Sequence, residues 1–125
     1  MDIVISNSSQ EPIYEQIEDQ VKSQILEGKL MPGEALPSLR ALARALHISV
    51  ITTKRAYSDL ERNGFLKSVE GKGCFVSPKN PSILREEQLR RAEAALQKAV
   101  DIAKRSGIRF EELEEMLTLL YGGKE

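Results

Sequence analysis

Cysteine and histidine, on which most nucleophilic and metal sites depend, occur once each in this 125-residue chain, as Cys74 and His47. A lone cysteine excludes an internal disulfide. With one histidine in a turn and one cysteine in a strand-like run, no nucleophile–base pair and no metal shell can be assembled, so neither an enzyme nor a metal or cofactor site is expected. Long apolar runs are also missing. None approaches the roughly 18 to 20 residues that a membrane span needs, and the opening MDIVISNSSQ lacks the basic-then-apolar pattern of a signal peptide. Internal repeats and low-complexity tracts are absent. The expectation is a cytoplasmic protein without membrane contact, with room for one domain plus an extra element.

Neither sign of charge dominates: 18 Lys and Arg stand against 19 Asp and Glu, for a net charge of −1. The mean conceals a distribution. Between Pro37 and Val76 the chain carries Arg40, Arg44, Lys54, Arg55, Arg62, Lys67 and Lys72 against Asp59, Glu61 and Glu70. Acid collects in the first helical segment and in the EELEE run near the C-terminus, which reads as a solvated helix face. A basic middle with acidic flanks suits a protein that meets phosphate on one face.

What is present is helical punctuation. Pro12 to Leu26 reads as a first helix, with Ile13, Ile17, Val21 (or Gln20) and Ile25 in one apolar stripe and Gly28 at its stop. LMPGEALPS is a loop ending in Ser38, an N-cap. A second helix, Ser38 to Leu46, should bury Leu39, Leu42, Ala43 and Leu46. A third, Val50 to Asn63, is capped by Ser49 and ended by Gly64. It should bury Thr53, Ala56, Tyr57 and Leu60, leaving Val50, Ile51, Lys54, Arg55 and Ser58 outside. FLKSV and CFVS, joined by Glu70-Gly71-Lys72-Gly73, read as a β-hairpin. Pro78 and Pro81 bracket a break. Ile83 to Ser106 is then a long helix, Gly107 its stop, and Phe110 to Tyr121 a last helix. The fold class is mainly α with a small β-hairpin: a winged helix-turn-helix over 1–77 and a two-helix tail over 78–125.

In a helix-turn-helix the second helix lies in the major groove with its N-terminal residues at the base edges. Here those residues are Ser49, Val50, Ile51, Thr52, Thr53, Lys54 and Arg55. Ser49 and Thr52 offer hydroxyls to phosphate, and Lys54 and Arg55 reach phosphate or guanine. Exposed Val50 and Ile51, a poor choice for a helix start facing water, can touch a thymine methyl. Arg40 points the same way. The glycines of EGKG do not precede a helix and so do not form a nucleotide-binding loop.

The stretch PGEALPSLRALARALHISVITTKRAYSDLERNGFLKSVEGKGCFV resembles the DNA-binding domain of the GntR family of bacterial transcription regulators. The matching features are P-G-x-x-L-P-S, Arg40 after it, L-A-x-x-L, A-Y-x-x-L-E and G-x-G-x-F-V. The short helical tail and the run S-V-I-T-T-K-R-A-Y are similar to the YtrA-like branch, whose tail serves dimerisation. The resemblance implies double-stranded DNA as partner. It places contacts at Arg40, Ser49, Val50, Ile51, Thr52 and Lys54, and at the wing tip formed by Gly71, Lys72 and Gly73. It also marks departures: many relatives carry Arg in place of Val50, Gly in place of His47 and Thr in place of Cys74.

Leu89, Ala92, Leu96, Ala99 (or Val100) and Ala103 make an apolar stripe with small residues on the long helix. Leu113 and Leu117, with Phe110 and Leu120, line one side of the last. A tail of this size cannot bury such a stripe alone, so a homodimer is expected, with packing back onto the chain's own winged helix as the alternative. Its two reading helices would meet half-sites about 10 base pairs apart, or a multiple of that, in a palindromic operator. The expected function is a repressor. A winged helix that binds another protein is the alternative. Any small-molecule effector would have to sit at the dimer interface or between tail and winged helix.

Overall fold

Serine hydroxyls start both short helices of the middle segment. In the computed structural model, which describes residues 1–123, Ser38 Oγ accepts the Ala41 N–H at 3.0 Å and Ser49 Oγ accepts the Thr52 N–H at 3.2 Å. Each hydroxyl satisfies a donor that has no partner inside its helix. The element order is α1 (Ile13–Leu26), α2 (Leu39–Leu46), α3 (Val50–Arg62), β1 (Leu66–Val69), β2 (Gly73–Val76), α4 (Pro81–Ser106) and α5 (Phe110–Leu120). The chain forms two compact units, Met1–Leu84 and Arg85–Glu125, so the division falls inside α4.

The core of the first unit is built from the predicted stripes. Ile17 and Val21 of α1 meet Ala56, Tyr57 and Leu60 of α3, with Leu42 of α2 and Phe65, Leu66 and Val76 of the hairpin closing around them. Leu39 and Leu46 are half-buried at the edge of the core. Thr53 is fully buried and satisfied, because its hydroxyl donates to the Leu39 or Val50 carbonyl (3.1 and 2.9 Å). Tyr57 donates its hydroxyl to the Pro37 carbonyl at 2.9 Å, which ties α3 to the loop before α2.

The strands pair antiparallel with Leu66 opposite Val76 and Ser68 opposite Cys74. Part of the loop expected over LMPGEALPS adds to this sheet. Gly33 N–H donates to the Val76 carbonyl, Val76 N–H to Glu34 and Leu36 N–H to Cys74, each at 2.9 Å, with Ala35 bridged to Phe75. The outer edge of β2 is therefore covered. A second addition lies at the N-terminus. Gln16, Gln20 and Gln24, one turn apart on α1, bond the main chain of Ser6, Val4 and Asp2 at 2.7 to 3.0 Å. They hold an extended arm whose Met1, Ile3 and Ile5 pack on the core.

α4 begins at Pro81, two residues earlier than expected. Proline suits a first helical turn, and Asn80 Oδ1 accepts the N–H groups of Ser82 and Ile83 at 3.1 and 3.4 Å. Gly64, with φ +90°, ends α3, and a Cβ there would stand 2.5 Å from Ile83 Cδ1.

Within the second unit, α4 and α5 pack only sparsely on each other. Gly107 (φ +71°) turns the chain between them, and Ile108 N–H closes on the Ala103 carbonyl at 3.0 Å. Of the stripe residues, Ala103 is buried, Ala99, Val100 and Leu113 are half-buried, and Leu89, Ala92, Leu96 and Leu117 stay open. Among the described residues no helix is long and apolar enough to cross a membrane.

Candidate nucleic-acid interface

The turn before α3 positions the residues of interest. His47 takes a left-handed conformation (φ 58°, ψ 47°), and Ile48 N–H closes on the Ala43 carbonyl at 3.0 Å, so α2 stops sharply. Three residues after His47, α3 starts with Val50 and Ile51 exposed, Ile51 to 80%. Lys54 follows one turn later, also exposed, while Thr53, Ala56 and Tyr57 hold the opposite face in the core. Two branched aliphatics in water next to a lysine, on a helix otherwise anchored tightly, form a surface shaped for contact.

Lys54 and the wing tip are brought together. An open groove of about 540 Å³ runs between them, lined by Ser38 and Leu39 at the start of α2, by Lys54, Tyr57, Ser58 and Glu61 of α3, and by residues 68–74 of the hairpin. Gly71 (φ +76°) and Gly73 (φ +108°) supply the positive φ that the tight turn takes. Nothing lies within 4 Å of the place where a Cβ would stand on either. Lys72 is exposed between them. Arg40 is exposed at the second position of α2.

The remaining candidates have local partners. Ser49 and Thr52 share a hydroxyl–hydroxyl bond of 2.9 Å, so both side chains already serve the helix start. Arg55 turns toward α1: its Nε donates to Asp59 at 3.1 Å, its Nη2 to the Tyr14 hydroxyl at 3.3 Å, and its guanidinium lies 4.1 Å from the Tyr14 ring centre.

Asp59 was not singled out from the sequence. It is buried on α3, accepts Arg55 and, at 2.8 Å, Arg62, and is held below the usual carboxylate range, first by a hydrogen bond from Glu18. Glu18 on α1 is buried in turn, and its carboxyl is pushed up to about 8 by burial and by the Asp59 carboxylate. Its Oε2 has no hydrogen-bond partner. The available signal was position: residues 18 and 59 stand beside Ile17 and Leu60 on the apolar stripes.

Residues 13–76 match the family model described as bacterial regulatory proteins, gntR family. The chain belongs to the GntR family, on its short YtrA-like branch. The HTH-type transcriptional repressor YtrA of Bacillus subtilis (strain 168) is 34% identical over 115 residues, spanning 92% of this chain and 88% of the repressor. Among solved structures, a transcriptional antiterminator from Listeria monocytogenes EGD-e superposes with a TM-score of 0.72 at 28% identity, over 100% of this chain and 96% of that one. AraR(DBD) in complex with operator ORX1 superposes with a TM-score of 0.55 at 29% identity, over 62% of this chain and 96% of its own. The GntR match ends at Val76, the last residue of β2, and the antiterminator carries the likeness through the tail.

Proposed function

We propose that this GntR-family chain is a transcriptional repressor that binds a palindromic DNA operator as a homodimer. Residues 1–77 read DNA, and residues 78–125 hold the two copies together. The observation that carries the reading is the start of α3, where exposed Val50, Ile51 and Lys54 face outward beside the glycine-tipped wing. The likeness to an operator-bound relative supports it. In this reading α3 enters the major groove, with Lys54 and Arg40 at phosphate or guanine and Val50 and Ile51 against thymine methyls. Ser49 and Thr52 approach the backbone, Gly71, Lys72 and Gly73 enter the minor groove, and Arg55 adds positive charge from the side of α1. Valine at position 50 cannot donate a hydrogen bond, so the operator differs there from those read through arginine.

The dimer rests on the open stripe of α4 and on α5, where Leu89, Leu96, Leu117 and Leu120 meet no core in a single chain.

The test is a salt titration of binding to a pool of random duplexes, with the bound fraction sequenced. A palindromic consensus and a steep fall of affinity with salt are expected. Arg40→Ala and Lys54→Ala should each cost about 1 to 3 kcal/mol of affinity on the selected duplex if they read bases. Unchanged affinity in both, with folding intact, removes the site. No binding at low salt moves the function to a protein-interaction module.

A further inference from the structure

The groove between α3 and the hairpin contains a carboxylate of the wrong sign for a polyanion. Glu61 follows Lys54 by seven residues on α3, so both lie on one face, two turns apart, and both line the groove. Both Glu61 oxygens are engaged by Ser68. Oε1 accepts the Ser68 hydroxyl at 3.1 Å and Oε2 accepts the Ser68 N–H at 3.3 Å. In an antiparallel pair every second residue turns its backbone groups away from the partner strand. Ser68 does so here, and the Glu61 carboxylate stands where a further strand would continue the sheet.

The hairpin is secured unevenly. At its base, Leu66 and Val76 are buried in the core. Along β2, the 33–36 segment pairs with Cys74 and Val76. On the β1 side, the Glu61–Ser68 pair ties the hairpin to α3 above that base, and the Glu70–Lys72 tip begins two residues further on. The angle between reading helix and wing is therefore held at mid-height by this carboxylate.

We propose that Glu61 is a positioning residue for DNA binding, bracing the wing against α3 so that the tip and Lys54 engage one duplex together. This rests on the DNA-binding reading above. A bare carboxylate in that groove would repel phosphate. The two hydrogen bonds leave that charge in place, and the geometry they set outweighs its repulsion.

Glu61→Ala and Glu61→Gln separate the two effects, since glutamine keeps an acceptor for Ser68 and removes the charge. In free Glu61→Ala, amide 15N relaxation at Gly71, Lys72 and Gly73 should show a loosened tip, with the core still folded and the melting temperature lower by several degrees, because order lost at the tip is native stability lost. Affinity for the duplex enriched from the random pool should fall about tenfold, the scale of a lost charge-assisted pair. Hydroxyl-radical protection of the minor-groove sugars should be lost, while protection of guanine N7 from dimethyl sulfate in the major groove should be kept. Glu61→Gln should bind as well as the parent or better. A tip as ordered in Glu61→Ala as in the parent overturns the brace. A loosened tip with unchanged affinity overturns its role in binding, as does an Ala variant that binds tighter, which would make Glu61 only a misplaced charge. Lys54→Ala, run beside them, identifies the other failure: if it too leaves affinity unchanged, the DNA-binding reading has failed rather than the brace.

Discussion

The winged unit and the tail are both rich in large apolar side chains and treat them in opposite ways. In Met1–Leu84 the stripes of three helices and a hairpin close on one core, and the large apolar side chains left exposed are Val4, Met31, Val50 and Ile51. Two of those four, Val50 and Ile51, open α3. In the tail, Leu96, Phe110, Met116, Leu117, Leu119 and Leu120 are all exposed, Leu120 to 86%, and Ala103 is the one apolar side chain below a tenth exposure among the described residues. A core completed inside one chain makes a unit whose stability is its own. A core left half-built makes stability depend on whatever covers it, and the proposed occupant is the same stripe of a second copy.

The largest expected effects break that contrast directly. Leu60 is fully buried on α3, so Leu60→Ala should cost about 2 to 5 kcal/mol of unfolding free energy through lost burial and a residual cavity. The loss should be the same at low and high protein concentration. Leu117→Asp should leave the winged unit folded and convert the proposed dimer to monomer, removing the concentration dependence of apparent stability. Urea unfolding at two concentrations and analytical ultracentrifugation read both. A Leu60→Ala loss that scales with concentration, or a Leu117→Asp variant that stays dimeric, erases the distinction.

A smaller effect comes from the carboxyl pair that the winged unit buries. Glu18 faces Asp59 and Lys22, with Asp19 beside it on α1, and Asp59 is held by Arg55 and Arg62. In the unfolded chain Glu18 titrates near its ordinary 4.5, and in the folded chain near 8. Below 4.5 both states hold the proton. Between 4.5 and 8 only the folded state does, so unfolding releases it and stability falls steadily as pH rises. Above 8 the loss is complete and the curve flattens. Asp59, shifted down, works the other way at the acid end, where its contribution is lost as pH falls below its ordinary 3.8. Chemical denaturation from pH 5 to 9 should show the decline in the parent and a flat profile in Glu18→Gln. An equal slope in both would mean that Glu18 is ionised in the fold.

Local signals made the helices and the hairpin legible. Ser38 and Ser49 cap where a serine before an apolar period predicts, Gly64 and Gly107 stop helices, and Thr53, Ala56, Tyr57 and Leu60 fill the expected face of α3. Long-range pairings were invisible because they leave no local period. Residues 33–36 sit among prolines and a glycine, so nothing marks them as partners of β2. Gln16, Gln20 and Gln24 look like a solvated stripe until an extended arm lies across them. Of the candidate interface, Lys54 and the wing tip were chosen by type and place, and the fold sets both along one groove. The commitments of Arg55 to Tyr14 and of Glu61 to Ser68 were not readable, because each joins elements 41 and 7 residues apart whose approach only the fold defines.

The smallest effect tests whether the winged unit is fully relaxed. His47 is the one residue other than glycine with positive φ among those described. Glycine takes this conformation without strain, whereas a Cβ in the left-handed region crowds the following carbonyl. His47 is exposed and caps α2 through its backbone, so replacing it removes no core contact. His47→Gly should therefore stabilise the winged unit by about 0.5 to 1 kcal/mol, the relief at the cap exceeding the extra freedom that glycine gives the unfolded chain. The gain should appear in the unfolding free energy and not in the dimer dissociation constant, since the turn lies in the unit whose core is complete. Equal or lower stability would show that the imidazole makes an interaction worth more than the strain it holds.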